Sequence, residues 1–330
     1  MVSAAPPTAW EERGLVPGGR IGGYVIDELI SGLGGLFVVF NAHDEATGRL
    51  VALKVEDPGS GWPQRSKAEF LGEVAAIASV ADPHLLPVYS DGEDVPAPPP
   101  SWADEPPRFY SAEVAATPLV YVAAQFVFGT SLAMLLRDGR GRPDLAQALD
   151  VTAQIAAALD AAHAIGVVHL GVKPANIFLS SFPIRTSPLS SSPGGAEHAY
   201  LADFGQERVR ADIEKARRAR DPESPWQWAD LDYFAPEKIL GETVGPRADQ
   251  YSLACVAFHM LAGFAPFVRP DRADTAYGHV KGTLPSLPAY RPDLPFAVDD
   301  IFVRAMAKRA NDRYGNCGAF AAALRASVAA

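Results

Sequence analysis

The sequence predicts an α+β, bilobal protein with a small β-rich N-terminal half carrying one helix and a larger, mainly helical C-terminal half. Three observations lead there. Residues 23–55 alternate apolar and polar positions or run through β-branched and aromatic residues, as half-buried strands do. A single stretch with helix-start signals interrupts the strand-like segments before residue 128. Beyond that point the apolar residues recur at helical spacing.

Taken in order, residues 1–19 read as a flexible N-terminal tail, rich in Ala, Pro and Glu. Tyr24 and Ile26 alternate with polar neighbours, Phe37–Phe40 is β-branched and aromatic, and Leu50–Val55 follows a turn-rich segment. Strand periodicity puts Ala52 and Lys54 on one face. Ser66 and Glu69 have the spacing of a capping box, and Phe70, Val74 and Ile77 form one helical face that ends by Asp82-Pro83. After strand-like Leu86–Tyr89, residues 91–118 hold seven prolines and read as an insertion without packed elements. Leu119–Phe128 is again strand-like. Leu145, Leu149, Ile155 and Leu159 then mark a helix with Gly166 as its C-cap. A second insertion, 180–197, is Ser- and Pro-rich and contains Thr186-Ser187. Residues 208–220 carry five arginines and one lysine and read as a solvated helix, with Glu214 and Arg218 spaced as an i, i+4 pair. The expected layout is one domain over 20–330, divided near 127/128.

Composition narrows the function. The 330 residues are 48% hydrophobic and 21% charged, an ordinary globular balance. The net charge of −10 argues against a nucleic-acid binder. Two cysteines, Cys255 and Cys317, exclude a disulfide framework, and the seven scattered histidines match no zinc spacing. The longest apolar run, Tyr251–Val268, is broken by His259, Gly263 and Pro266 and reads as a buried helix and turn, not a membrane span. With no targeting segment at the N-terminus, the expected location is the cytoplasm.

Several short segments follow one another in a telling order. They are Gly32-Leu33-Gly34-Gly35-Leu36-Phe37 with Val39 beyond, Val51-Ala52-Leu53-Lys54, and Glu73 on the predicted helix. Then come His169 to Asn176 (HLGVKPAN), Asp203-Phe204-Gly205, Ala235-Pro236-Glu237, Asp249 and Arg313. In this order they resemble the protein kinase family, most closely the bacterial serine/threonine kinases of eukaryotic type, from about Ile21 to Leu324. The resemblance implies the bilobal protein-kinase-like fold and a site for ATP and Mg2+. Gly32 and Gly34 would belong to the nucleotide loop, Ala52 would admit the adenine ring, and Val39 and Phe178 would be among the nucleotide-binding residues. Lys54 and Glu73 would position phosphates, Gln125 and Val127 would offer hinge backbone groups beside gatekeeper Ala124, and Asn176 and Asp203 would hold the metal. Lys173 would neutralise the transferred phosphoryl group. Glu237 and Arg313 would form a buried structural ion pair, and Asp249 would anchor the central helix. Ile77, Val88, His169, Phe204 and Asp249 suit the family's regulatory spine.

The resemblance also has gaps. Gly171 stands at the catalytic aspartate position and offers no group to orient or deprotonate a hydroxyl. Leu170 replaces the arginine that would read an activation-loop phosphate, and that loop has one serine, Ser224, and no threonine. Asp230 replaces the threonine expected before Ala-Pro-Glu, and Phe37 the third loop glycine. The implied function is a pseudokinase that binds ATP and Mg2+ and acts as a regulatory or scaffolding protein in signalling. The alternative is a low-activity or unconventional serine/threonine kinase with Asp230 as a relocated base. A protein partner is implied but not identified; another kinase or a phosphopeptide-binding domain reading Thr186-Ser187 are the classes that fit.

Overall fold

A computed structural model describes residues 7–32, 35–137, 143–180, 198–221 and 230–329. The chain divides into two compact units, the first made of residues 1–78, 86–126 and 208–222, the second of 79–85, 127–207 and 223–330. The boundary expected at 127/128 thus falls one residue earlier, and a piece from the second half of the sequence joins the first unit.

The first unit is a six-stranded antiparallel sheet in the order β1-β2-β3-β4-β6-β5, with one long helix. Its strands are β1 (Arg20–Ile21), β2 (Tyr24–Ser31), β3 (Phe37–Asp44), β4 (Leu50–Glu56), β5 (Val88–Asp94) and β6 (Leu119–Gln125). Period-2 alternation sorts their side chains. Val38, Phe40, Val51, Leu53, Val55, Leu119 and Ala123 share one apolar cluster, while Val120 and Val122 of β6 join a second. That second cluster receives Phe70 and Val74 of α1 (Gln64–Ala78), the helical face anticipated above. The helix starts at Gln64, two residues before the expected cap. Ser66 is therefore interior to it, and its Oγ donates to Asp212 at 2.8 Å. The helix also stops at Ala78, short of Asp82-Pro83.

Two expectations for this unit need correction. Of the supposed flexible tail, residues 7–19 are packed: Glu11–Arg13 form a 3-10 turn, Leu15 is 1% exposed, and Trp10 lies against the sheet core. The Pro-rich 91–118 segment, though largely exposed, carries short elements and is pinned at several points. Ala97 exchanges both backbone hydrogen bonds with Arg20 (2.7 and 2.8 Å), and Ser111 caps the short α2 (Ala112–Ala115), whose Ala115 is buried. The reason is contact between the two segments. Gly14, at φ 78°, lies so close to Pro98 that a Cβ would stand 2.9 Å from its Cα.

The second unit is mainly helical, with a small antiparallel sheet that helical periodicity alone did not announce: β7 (Gly129–Ser131), β8 (Ile177–Ser180) and β9 (His198–Leu201). Its helices are α3 (Leu132–Arg137), α4 (Leu145–Ala164), α5 (Gln206–Arg220), α6 (Pro236–Leu240), α7 (Pro246–Ala262), α8 (Arg272–Lys281), α9 (Ala297–Ala305) and α10 (Cys317–Ala329). α5 begins here and passes into the first unit from Arg208 onward. α4 carries a complete capping box, Asp144 with Gln147. α7, the expected buried helix, has Tyr251, Leu253, Ala254, Val256 and Phe258 all at 0% exposure. Among the described residues no helix is long and apolar enough to cross a membrane. Residues 181–197, including Thr186 and Ser187, lie outside the described residues, as do Leu33, Gly34 and Ser224.

Four histidines of this unit are held neutral by burial, which lowers the pKa of His84 and His169 and takes His259 to about 4 and His279 to about 3. Because the folded values lie below the unfolded one near 6.5, the unfolded chain binds more protons at acid pH. Their contribution is intact above pH 6.5 and falls away as pH drops toward 4. At pH 5, His259 and His279 are each expected to cost about 2 kcal/mol. Thermal melts should show the midpoint dropping by several degrees between pH 7.5 and pH 5, and a flat profile would contradict this account.

Candidate functional site

The implied site residues are distributed over both units. In the first, β3 and β4 pair with Val39 opposite Lys54, and β4 and β6 pair with Ala52 opposite Ala124. Val39, Ala52 and Lys54 thus share the sheet face opposite the Val38–Leu53 core, as periodicity requires. Gln125 uses its backbone N–H on Pro87 O at 2.8 Å. Gly32 precedes the loop, and Gly34 lies outside the described residues. Phe37 turns toward α1: its ring centroid lies 5.3 Å from Trp62 and 5.4 Å from Phe70, and it is 8% exposed. Its bulk is absorbed by this aromatic cluster.

The resemblance implies Lys54 as the ion-pair partner of Glu73, and the described partner of Glu73 is an arginine. The Glu73 carboxylate is ion-paired with Arg208 Nε of α5, while its Oε2 is buried without a hydrogen bond. Burial raises its pKa, and the Arg208 guanidinium opposes that shift. The sequence around α5 explains the arrangement. Val209 and Ile213 pack into the Phe37–Phe70 cluster, and Asp212 takes Ser66 and Arg65 of α1. This helix is therefore not merely a solvated face, and Glu214 pairs with Arg217 at i, i+3.

In the second unit, Asp249 is fully buried and organises the loop that precedes β8. Its carboxylate accepts from His169 N (2.8 Å), Leu170 N (2.7 Å) and His163 Nε2 (2.8 Å). Leu170 adopts φ 62°, a left-handed conformation that costs an L-residue free energy and persists only when its surroundings enforce it. Burial lowers the His169 pKa and keeps the ring neutral. Its Nε2–H donates to Ala202 O at 2.8 Å, and its Nδ1 accepts Gly171 N–H at 3.1 Å. Phe204 packs against it with the ring centroids 4.4 Å apart and the planes tilted by 55°. Asn176 Nδ2 donates to Gly171 O at 2.9 Å, which leaves its Oδ1 as the amide's oxygen donor. Asp203 sits at φ 74° after β9, and Phe178 of β8 is half-buried between buried Ile177 and Leu179. An amide oxygen and a carboxylate are hard donors that suit Mg2+. Val127, at the start of this unit, is half-buried.

The acceptor side departs from expectation. Asp230 does not occupy the room beside Gly171; its Oδ2 takes Lys173 Nζ at 2.6 Å. Both line a pocket of about 240 Å³ with Leu136, Pro174, Tyr233 and His259. The Tyr233 hydroxyl, whose pKa burial raises, donates to neutral His259 Nδ1 at 2.8 Å. The room beside Gly171 belongs instead to Glu207. A Cβ built on Gly171 would meet Glu207 Cγ at 2.7 Å and Oε1 at 3.5 Å. Glu207 is 8% exposed, and its Oε2 accepts Lys238 Nζ at 2.8 Å, which also donates to Leu170 O at 2.7 Å. The motif order gave no signal for Glu207, Arg208 or Lys238, because none falls on a motif position.

Two further groupings are structural. Glu237 and Arg313 form the expected buried pair, bidentate at 2.7 Å on both arms. Asp160, His163 and Cys317 bring ligand atoms within 4.8 Å of one another. Both Asp160 oxygens accept backbone N–H groups, from Cys317 (2.9 Å) and Gly318 (2.8 Å), and so cap α10. Burial pushes the Cys317 thiol up, away from the thiolate a metal needs.

Comparisons with known proteins show the family and the fold. A family model described as protein kinase domain matches residues 24–313. Serine/threonine-protein kinase PknE of Mycobacterium tuberculosis is 30% identical over 313 residues, covering 94% of this chain and 47% of PknE. PknD of the same organism is 30% identical over 310 residues, covering 93% of this chain and 40% of PknD. The chain spans about half the length of the curated relatives it matches. Among solved structures, the Mycobacterium tuberculosis PknI kinase domain is similar with a TM-score of 0.67 at 26% identity, covering 96% of this chain and 100% of that one.

Proposed function

The chain belongs to the protein kinase family, and from that premise we propose that it is a pseudokinase that binds ATP with Mg2+ and serves bacterial signalling as a regulatory or scaffolding protein. One observation carries the reading. Position 171 has no side chain with which to take a proton, whereas the groups that handle ATP are retained, Lys54 on its strand and Asn176 and Asp203 with oxygen donors. Asn176 and Asp203 would hold Mg2+, which when bound neutralises charge on the β- and γ-phosphates. Lys54 would meet the phosphates, Val39, Ala52 and Phe178 the adenine, and Gln125 and Val127 its edge. Lys173, fixed by Asp230, would face the terminal phosphoryl group.

Such a ligand acts only through its differential affinity for two states of the protein. Arg208 holds Glu73 in the state described here. A nucleotide that draws Lys54 and Glu73 together has to displace that guanidinium. Calorimetry with ATP, with and without Mg2+, is expected to show magnesium-dependent binding that Lys54→Met abolishes. Arg208→Ala should tighten binding by about fivefold, the scale of one partly exposed ion pair. Absence of binding under both conditions would remove the nucleotide switch and leave a scaffold.

The other reading, a low-activity serine/threonine kinase with Asp230 as relocated base, has less support, because Asp230 is held on Lys173 and Glu207 takes the room beside Gly171. Phosphate transfer that persists undiminished in Asp230→Ala would exclude it.

A further inference from the structure

Gly171 and Glu207 are a complementary pair. The absence of a side chain at 171 leaves a space, and Glu207, the second residue of α5, fills it with its Cγ and brings its carboxylate alongside. A Cβ at 171 would stand 2.7 Å from Glu207 Cγ, 3.4 Å from Cδ and 3.5 Å from Oε1, so a side chain at 171 and Glu207 in this position exclude one another. The carboxylate is also built in. Only 8% of Glu207 is exposed, and Lys238 fixes its Oε2 at 2.8 Å while bonding the carbonyl of Leu170, the residue next to the gap. Asp230 is turned to Lys173, and Asp249 is engaged by the backbone of His169 and Leu170. Lys173 and Asn176 follow Gly171 in the same loop, and Asn176 holds Gly171 O directly.

We propose that Glu207 supplies the carboxylate missing at position 171, and that the nucleotide-loaded protein therefore has a slow phosphoryl-transfer activity toward a hydroxyl acceptor. The proposal rests on the nucleotide-binding reading above and adds an activity to it. In the step, the acceptor oxygen bonds to the γ-phosphorus of ATP as the bond from that phosphorus to the β–γ bridging oxygen breaks. ADP leaves with the electron pair, and the hydroxyl proton passes to Glu207 Oε1 or Oε2. Two features make the activity slow. Glu207 reaches the position through a longer side chain from a different element. Lys238 holds its carboxylate in a place set by the Leu170 carbonyl and not by the acceptor, and misplacement of a reacting group is costly.

The test is transfer of labelled phosphate from Mg-ATP to the protein itself and to a generic basic protein acceptor, with Lys54→Met as background and calorimetry of Mg-ATP on every variant. The wild type is expected to show Lys54-dependent transfer. Glu207→Gln, which keeps shape and removes the charge, should lower it by about 10²-fold or more with ATP affinity unchanged. Gly171→Asp combined with Glu207→Ala should recover transfer, because the carboxylate returns to the loop as its blocker is removed. Unchanged or raised transfer in Glu207→Gln overturns the proposal, as does a loss in that variant that the double variant does not recover, which would give Glu207 a structural role. Loss in Asp230→Ala with none in Glu207→Gln assigns the proton to Asp230 and overturns it as well. Wild-type protein that binds Mg-ATP but transfers nothing above Lys54→Met overturns this proposal and spares the nucleotide reading. Protein that binds no nucleotide overturns both.

Discussion

Arg313→Ala is expected to lower unfolding stability by about 3–5 kcal/mol, the cost of leaving one member of a buried ion pair unpartnered. The Arg313 side chain is 0% exposed and that of Glu237 8%. The guanidinium grips both carboxylate oxygens at 2.7 Å. It also donates to Arg247 O at 2.9 Å and Ala307 O at 2.8 Å, and lies 4.8 Å over the Tyr251 ring. Truncation strands a carboxylate and two carbonyls at once. Since a domain has only about 5–15 kcal/mol in total, the variant should melt far below the wild type. Arg313→Lys should recover little, because an ammonium cannot reproduce the planar fork. An apolar pair, Glu237→Leu with Arg313→Met, should recover much of the loss, since no buried charge remains. Denaturant titrations of the four proteins measure this directly. Additive losses in the double variant would mean that the pair is not the unit supposed here.

That ion pair was legible in the sequence because both partners stand on motif positions and point inward by the logic of the fold. The strands were legible for a related reason: alternation in Val51–Val55 and the runs at 37–40 and 119–125 state which face is buried. What the sequence hid was companionship. Residues 7–19 look unable to bury themselves, yet Trp10 and Leu15 pack on the sheet core and the chain touches the Pro-rich 91–118 segment at Gly14–Pro98 and Glu12–Ser111. Strand β7, of three residues, and strands β8 and β9, of four, are too short for a periodicity to develop. The candidate site shows the same limit. Position 171 announces that a carboxylate is missing, but a motif cannot say what moves into the space. Glu207, Arg208 and Asp230 are all charged residues outside the matched tripeptides or standing in for other residues, and their partners depend on how α5 packs. Phe37 illustrates the converse. It stands where the resemblance implies a loop glycine, and the neighbouring Trp62 and Phe70 give its ring an apolar seat.

Asp249→Ala is expected to cost a similar 3–5 kcal/mol and, unlike Arg313→Ala, to reach the site directly. The Asp249 carboxylate is 0% exposed and accepts two backbone N–H groups and an imidazole nitrogen. Each buried donor left without an acceptor costs about 1–3 kcal/mol. The two backbone donors belong to His169 and Leu170, and Leu170 is held at φ 62°. Without the carboxylate the Lys238 bond to Leu170 O is left to oppose the roughly 1–3 kcal/mol preference of a leucine to leave that conformation. As Leu170 relaxes, Gly171 N loses its alignment on His169 Nδ1, and the Asn176–Gly171 bond loosens with it. Lys173 lies between those two bonds in sequence, so Mg-ATP affinity should fall together with stability. Asp249→Asn separates charge from shape. Its amide presents one oxygen and one NH2 group where the carboxylate presents two oxygens, so in either orientation an NH2 faces a donor. The asparagine variant should therefore resemble the alanine one, with faster hydrogen exchange at residues 169–171 in both. An asparagine variant as stable as wild type would show that one oxygen suffices and that the left-handed turn at Leu170 is held by something else.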